Sequence, residues 1–395
     1  MPGTTFRIEQ IQSAMDAAGI DAVVLRLAEN VVLTTDWYVQ ISGLGIVVIG
    51  RAGGASLLVP EYEAEEAAAV WAGDIRTFPA IRNDGPPTGA EIARHLGDLA
   101  RELDAIGGVV GFEGSFESIA PGSMFGEPNA VGLPSQALYK AAFQTERLAD
   151  VSELLESIRS IKTGHDIERL RSTNEIAVFG LNAFKEAAVP GATEIEVLAA
   201  VEHAITVQGH GYKGARWVHG FCTIFSGPDL AEGWKYWRAR TRRIEAGDVV
   251  MLELGTVADG YWSDHTRSVC AGTASPRLQE AYDVMRAAAR AGFAAARPGA
   301  TGDEVDRASR AVCAAAGFTQ FPHHTGHGTG FRYHESRPQL VPGGTDVVQE
   351  GNVIITEPGI YSTEIGGGVR FEDDAVVTAE GAVVLATTGY AFDLS

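Results

Sequence analysis

The chain is poor in residues that cross-link and in residues that carry positive charge. Its three cysteines, Cys222, Cys270 and Cys313, are odd in number, widely spaced and in no CxxC arrangement, so a reduced, cytoplasmic compartment is the expectation. Lysine and arginine total 31 against 51 aspartates and glutamates, a formal net charge of −20. A surface that acidic argues against nucleic acid or an anionic membrane as the main partner. Long apolar runs are missing too. The best, Ile46 to Ile49, is far short of the roughly 18 residues that a membrane span needs. The opening MPGTTFRIEQIQSAMDAAG carries charges and no apolar segment, so no signal peptide is expected. What is there is 45% hydrophobic over 395 residues, enough for a large core and more than one domain.

Hydrophobic periodicity in the first part alternates between helix and strand. Ile8 to Ala18 and Glu91 to Leu103 read as amphipathic helices, and Ala22 to Leu25, Gly45 to Ile49 and Val109 to Phe112 as strands. That alternation predicts an α/β layer. From about Thr145 to Gly209 the pattern becomes helical, with apolar residues at three- and four-residue intervals. A domain boundary is expected between Val151 and Lys162, dividing the chain into residues 1–155 and 156–395.

The second part repeats itself. PGATEIEV at Pro190–Val197 returns as PGATGDEV at Pro298–Val305, and AGDVVMLELG at Ala246–Gly255 returns as EGNVIITEPG at Glu350–Gly359. Both matches keep order and nearly the same offset. The period is too long for a solenoid, which leaves a domain of two similar α+β halves. In each half a β-rich run ends in a glutamate. Glu253 shares a strand face with Val249 and Met251, and Glu357 shares one with Val353 and Ile355. A second acid follows each, Asp264 and Glu372, as though on the second strand of a hairpin. Stacking the halves would gather four carboxylates, which repel one another and lose solvation at several kcal/mol per ion. Divalent cations are the natural compensation.

A glycine-rich loop, HHTGHGTGFRYHE, supplies His323, His324, His327 and His334. Its spacing is neither the helical HExxH of zincins nor a dinucleotide fingerprint. The functional reading is one histidine as ligand and another as proton donor, the alternative being that His323 or His324 is a packed or exposed loop residue.

These motifs together resemble the pita-bread metallopeptidases, the family of methionine aminopeptidase, aminopeptidase P, prolidase and the non-peptidase creatinase. The resemblance rests on ELGTVADGYWSDHTRS (Glu253–Ser268), HHTGHGTGFRYHE (His323–Glu335), TEPGIY (Thr356–Tyr361) and GGVRFEDDAVVT (Gly367–Thr378), and covers nearly the full length. It implies an α+β fold, with a C-terminal pita-bread domain of two pseudo-twofold halves after a smaller α/β creatinase-type domain. It implies Glu253, Asp264, His327, Glu357 and Glu372 as ligands of two divalent ions (Mn, Co, Fe or Zn), Asp264 and Glu372 bridging. His323 and His334 match the histidines that steady the substrate carbonyl and move protons, and Arg370 matches the arginine beside the last ligand. The activity implied is hydrolysis of an amide or peptide bond by a water between the metals, with Glu357 as proton acceptor and Xaa-Pro peptides as the commonest substrates. A homodimer is implied as well.

Two departures stand out. The first ligand, normally Asp, is Glu253, one methylene longer, which moves its carboxylate by more than about 1 Å and leaves that metal's affinity and identity open. Trp234, in SGPDLAEGW, stands where peptidase relatives carry a histidine. Trp234 and Trp262, near Trp217 and Trp237, and Trp37 in the first domain are candidates for an aromatic wall against a short peptide or a small cationic or cyclic molecule. These departures keep open a non-peptidase hydrolase resembling creatinase or ectoine hydrolase, with Glu253 as base or nucleophile. A lyase of a small sulfonium or ammonium substrate and a non-catalytic peptide-binding module are further readings. Glu335, His324 and His265 are left as supporting or surface residues.

Overall fold

The structure, a computed structural model, describes residues 2–39, 45–80, 87–114, 132–235, 238–318, 321–386, 388 and 392. The chain divides into two compact units, Met1–Arg159 and Ser160–Ser395.

The first unit carries α1 (Pro2–Ala18), β1 (Ala22–Leu25), α2 (Ala28–Thr35), β2 (Ile46–Gly50), β3 (Ala55–Pro60), α3 (Ala64–Val70), β4 (Asp74–Phe78), α4 (Thr88–Glu102), β5 (Val110–Phe112), α5 (Leu133–Phe143) and β6 (Leu148–Asp150), and α6 (Ser152–Ser160) follows. Its six strands form one mixed sheet in the order β4-β3-β2-β1-β5-β6. The central strands are buried on both faces, which is why Ala22–Leu25 and Ile46–Ile49 read as unbroken apolar runs. Val24, Val48 and Leu58 face one core with Leu96 and Leu99 of α4, and Val23, Val47 and Leu57 face another with Ile11 and Met15 of α1.

The second unit has two halves. The first comprises α7 (Gly164–Ala187), α8 (Glu194–Gly209), β7 (Val218–Ser226), β8 (Val249–Ala258) and β9 (Tyr261–Cys270). The second comprises α9 (Pro276–Ala295), α10 (Gly302–Ala315), β10 (Gly326–Gly328), β11 (Glu335–Leu340), β12 (Val353–Thr356), β13 (Gly359–Ser362), β14 (Gly367–Arg370), β15 (Asp373–Thr378) and β16 (Gly381–Val384). One sheet runs β7-β8-β9, a second β11-β10-β12-β15-β16 and a third pairs β13 with β14, and all three are antiparallel.

The repeated PGAT segments do the same work twice. Gly191 and Gly299 each turn the chain at φ 95°, a conformation only glycine adopts without strain. Thr193 and Thr301 then open α8 and α10 with full capping boxes, in which the threonine hydroxyl accepts the N–H of Glu196 or Glu304 and that glutamate accepts the threonine N–H. Each threonine also makes a β-bridge, to Arg243 and to Val347, just upstream of β8 and β12. The repeat thus fixes each helix start against the strand that carries an acid.

Strand β8 is buried along its length. Val250, Leu252 and Leu254 pack on Ile176, Phe184 and Val201 from α7 and α8, while Val249 and Met251 pack with Leu278, Tyr282 and Met285 of α9. Glu253 continues the Val249–Met251 face. The first acid pair does sit on a hairpin, since β8 pairs β9 with Glu253 opposite Thr266 and Gly255 opposite Asp264. The second does too: β12 and β13 pair with β15 and β14 in one continuous antiparallel register, which sets Glu357 opposite Glu372. Pro358 has no N–H to give, so the ladder is interrupted there, while the Phe371 N–H still reaches the Pro358 carbonyl.

Candidate active site

The site is built from β8 and β9 of one half and the His323–Glu335 segment, β12 and the Arg370–Asp374 segment of the other. It gathers Glu253, Asp264, His327, Glu357 and Glu372, all buried. Three overlapping groups have ligand-capable atoms within 4.8 Å of one another: Glu253, Asp264 and Glu372; Asp264, His327 and His334; and His324, His327 and Glu357. Five residues expected as metal ligands therefore meet, and His334 and His324 join them.

His327 sits on β10, threaded between two strands. A Cβ at Gly326 would lie 2.0 Å from the Ile355 carbonyl oxygen, and one at Gly328 would lie 2.1 Å from that of Arg337. Only glycine fits on either side of His327. Its Nδ1 lies 2.8 Å from the Gly328 carbonyl, which fixes the hydrogen on Nδ1 and leaves Nε2 with a free lone pair. That Nε2 has no hydrogen-bond partner and stands 3.6 Å from both Asp264 Oδ2 and Glu357 Oε1. Burial, with His334 and His324 beside it, pushes the imidazole well below its ordinary pKa, so it stays neutral.

The carboxylates are in tension. Burial, then the charges of Glu372 and Glu357, push Asp264 well above the carboxylate range, and burial with Glu357 does the same to Glu372. Both Asp264 oxygens and Glu372 Oε1 are buried without a hydrogen-bond partner. The Asp264 backbone N–H is held by Asp374, which also accepts from Asn174 Nδ2 at 2.9 Å. Glu357 differs: burial raises it, but His324, His323 and His334 outweigh that and hold it below its ordinary value. Its Oε1 lies 2.6 Å from His324 Nε2. His324 is itself shifted upward, because Glu357 overcomes the cost of its burial.

Glu253 is the most heavily bonded acid. It pairs with Arg370, accepts from the Tyr333 hydroxyl at 2.9 Å and lies 2.8 Å from Thr266 Oγ1. Thr266 Oγ1 is also 2.6 Å from Glu372 and accepts from Arg370 Nε at 3.0 Å. Arg370 Nη1 reaches the Tyr361 hydroxyl at 3.3 Å, and that hydroxyl meets His323 Nε2 at 3.0 Å. His323 therefore faces Tyr361 more closely than it faces the acids. His334 places Nε2 3.6 Å from Asp264 Oδ2, and burial takes its pKa down to about 4.

The aromatic candidates separate. Trp37 lies in the core of the first unit, and Trp262 is buried with its ring 6.0 Å from Tyr333. Trp234 alone of the three is exposed, at 41%, with the Lys235 ammonium 5.4 Å over its ring. Trp237 is outside the described residues. Sequence reasoning passed over Thr266, Tyr333, Tyr361, Asp374 and the role of His324. Thr266 had a signal, because it lies two residues beyond Asp264 on the same face of a strand.

This donor set, neutral imidazole nitrogen and buried unpartnered carboxylate oxygens, fits divalent cations. Comparison with known proteins agrees. Residues 168–379 match the model of metallopeptidase family M24, and residues 7–161 match the creatinase/prolidase N-terminal domain. An uncharacterized peptidase, YqhT, of Bacillus subtilis is 30% identical over 95% of this chain and 96% of its own. The fold is similar to that of an Xaa-Pro dipeptidase from Bacillus anthracis, with a TM-score of 0.80 and 28% identity over 99% of both chains. It is also similar to the prolidase from Pyrococcus horikoshii OT3, with a TM-score of 0.77 and 27% identity over 98% of this chain and 99% of that one.

Proposed function

The chain belongs to metallopeptidase family M24, and from that premise we propose that it hydrolyses the peptide bond before proline in Xaa-Pro dipeptides. The observation that carries this reading is the buried cluster in which Asp264, Glu372 and His327 offer atoms with no hydrogen-bond partner among the described residues. We propose two divalent ions, drawn from Mn, Co, Fe or Zn, held by Glu253, Asp264 and Glu372 on one side and by His327 and Glu357 on the other. When bound, such ions supply a nucleophile at neutral pH and polarise the scissile carbonyl.

The protein's own groups have separable tasks. Glu357, kept ionised by the histidines around it, takes a proton at Oε2, the oxygen that His324 leaves free. His334, neutral at pH 7, still offers one ring N–H to the oxygen on which charge develops. Arg370 works through others: it holds Glu253, Thr266 and Tyr361, and Tyr361 in turn orients His323. We assign the exposed Trp234, on the segment that packs against β13 and β14, as an apolar face for the proline ring. Among the described residues no helix is long and apolar enough to cross a membrane. The three free, buried cysteines support a cytoplasmic protein, and the family resemblance supports a homodimer.

The test is hydrolysis of Ala-Pro against Ala-Ala by metal-loaded protein, followed by chromatography of released proline. Cleavage of Ala-Pro that is lost with chelator and in Asp264→Ala supports the assignment. Protein that holds metal but cleaves no Xaa-Pro dipeptide overturns it.

A further inference from the structure

The three ligand groups are not chemically alike. Glu253, Asp264 and Glu372 offer only carboxylate oxygens, whereas His324, His327 and Glu357 offer two imidazole nitrogens and one oxygen. His324 was the histidine of the loop with no expected role, yet its Nε2 is directed at the same Glu357 oxygen that His327 Nε2 approaches from 3.6 Å. The rings of His324 and His327 stand nearly perpendicular, 81° apart with centroids 5.3 Å apart, so both present an edge to the space beside Glu357 rather than stacking. His327 Nε2 is completely buried and has no hydrogen-bond partner among the described residues, so its lone pair is available to a cation. His334 flanks His327 from the other side, toward Asp264.

We propose that His324 is a ligand of the cation held by His327 and Glu357, giving the centre one nitrogen-rich and one all-oxygen pocket. Imidazole favours zinc and other borderline ions, and carboxylates favour harder ions such as manganese. The two pockets therefore differ in preference: Zn2+ or Co2+ beside His324, Mn2+ beside Glu253. His324 sets the difference, because without it the first pocket keeps only one nitrogen on the His327 side away from Asp264. This inference rests on the metallohydrolase reading and says nothing of the substrate.

The experiment measures cation affinity of metal-free full-length protein and of His324→Ala, using a chromogenic chelator in competition with Zn2+ and separately with Mn2+. The visible spectrum of the Co2+-loaded forms is recorded alongside. Loss of a ligand is expected to weaken the tighter Zn2+ step by about 10–100-fold, the scale on which even outer partners act. Mn2+ affinity should change by less than about threefold, and the Co2+ absorption should shift and weaken. Equal weakening of both metals, or no change in affinity and spectrum, overturns the proposal and leaves His324 as a hydrogen-bond partner of Glu357. His324→Asn, a smaller polar side chain, repeats the measurement should the alanine variant fail to fold, with the same outcomes. Because no substrate is present, a chain that binds metals in this way yet cleaves no Xaa-Pro dipeptide sinks the peptidase assignment alone.

Discussion

Thr266 carries one hydroxyl hydrogen and faces two carboxylates, Glu253 at 2.8 Å and Glu372 at 2.6 Å. It donates to one of them, so the other needs a proton or a cation. Thr266→Val keeps the shape and removes the hydroxyl. Glu253 and Glu372 then lose a shared donor, at about 1–3 kcal/mol in metal-free protein. Cation affinity should fall about 10–100-fold, because the hydroxyl orients two ligands. Denaturant melts with and without Mn2+, together with chelator competition, read both effects, and a variant that binds Mn2+ as well as the parent would refute the role. Residue chemistry of this kind was half legible. The acids and His327 stood out by strand position and repeat. Tyr333 and Tyr361 did not, because a tyrosine's partner depends on which strands meet across the two halves.

Glu113, in the first unit, gives a second prediction at this scale. It is buried at the start of α2, where Arg26 and Leu27 N–H groups and Asn30 Nδ2 donate to it. Burial outweighs those donors and raises its pKa from 4.5 to about 7. An acid raised in the folded state binds its proton there while the unfolded chain has lost it, so its contribution is present below pH 4.5. It is lost as pH rises through 7. Between pH 5 and 8 this one group removes at most about 3 kcal/mol. Glu113→Gln should therefore be less sensitive to pH than the parent over that range in urea unfolding. Parent stability that falls no more steeply than the variant's between pH 5 and 8 rules out the assignment.

At the scale of elements, the two halves owe their likeness to local rules. The sequence Thr-x-x-Glu after Pro-Gly-Ala is a capping box that can be read without a structure, and both copies form it. Thr301→Ala should cost about 1 kcal/mol, and Thr193→Ala about the same. Their sum should hold in the double variant, since the two caps share no partner. Guanidinium unfolding of the four proteins checks this, and a double variant well beyond the sum would mean that the caps are coupled. The hairpins that carry the acids were legible, and in the second half β12–β13 and β14–β15 pair in one register with Glu357 opposite Glu372. What was not legible is the interruption of that ladder at Pro358, between the Thr356–Asp373 and Gly359–Arg370 pairs. A gap of that kind depends on which backbone groups the opposite strand presents, and one proline does not announce it. The β13–β14 hairpin nonetheless matters to the site, since it delivers Arg370 and Tyr361 to Glu253 and His323.

For the whole molecule, the dominant fact is a net charge of −20 on a chain that folds several acids into one buried place. The fold accepts this only where something positive balances it. Arg370 balances Glu253, and Arg267 pairs with Asp373 next door, but Asp264 and Glu372 keep oxygens that accept no hydrogen bond from the described residues. Cation binding is therefore linked to folding: an ion that binds the folded state alone stabilises it by RT ln(1 + [L]/Kd), about 2.7 kcal/mol at a concentration of 100 Kd. The melting temperature of the full chain should rise with Mn2+ or Zn2+ along that logarithmic curve and fall back with chelator. Asp264 contributes to two of the three ligand groups found among the described residues, so Asp264→Ala should abolish most of the rise. The variant should also raise the metal-free melting temperature or leave it unchanged, because a carboxylate that repels Glu372 and Glu357 is gone. A metal-free variant that melts well below the metal-free parent would show that Asp264 supports the fold by itself, and the account of these acids as charges waiting for a cation would fail.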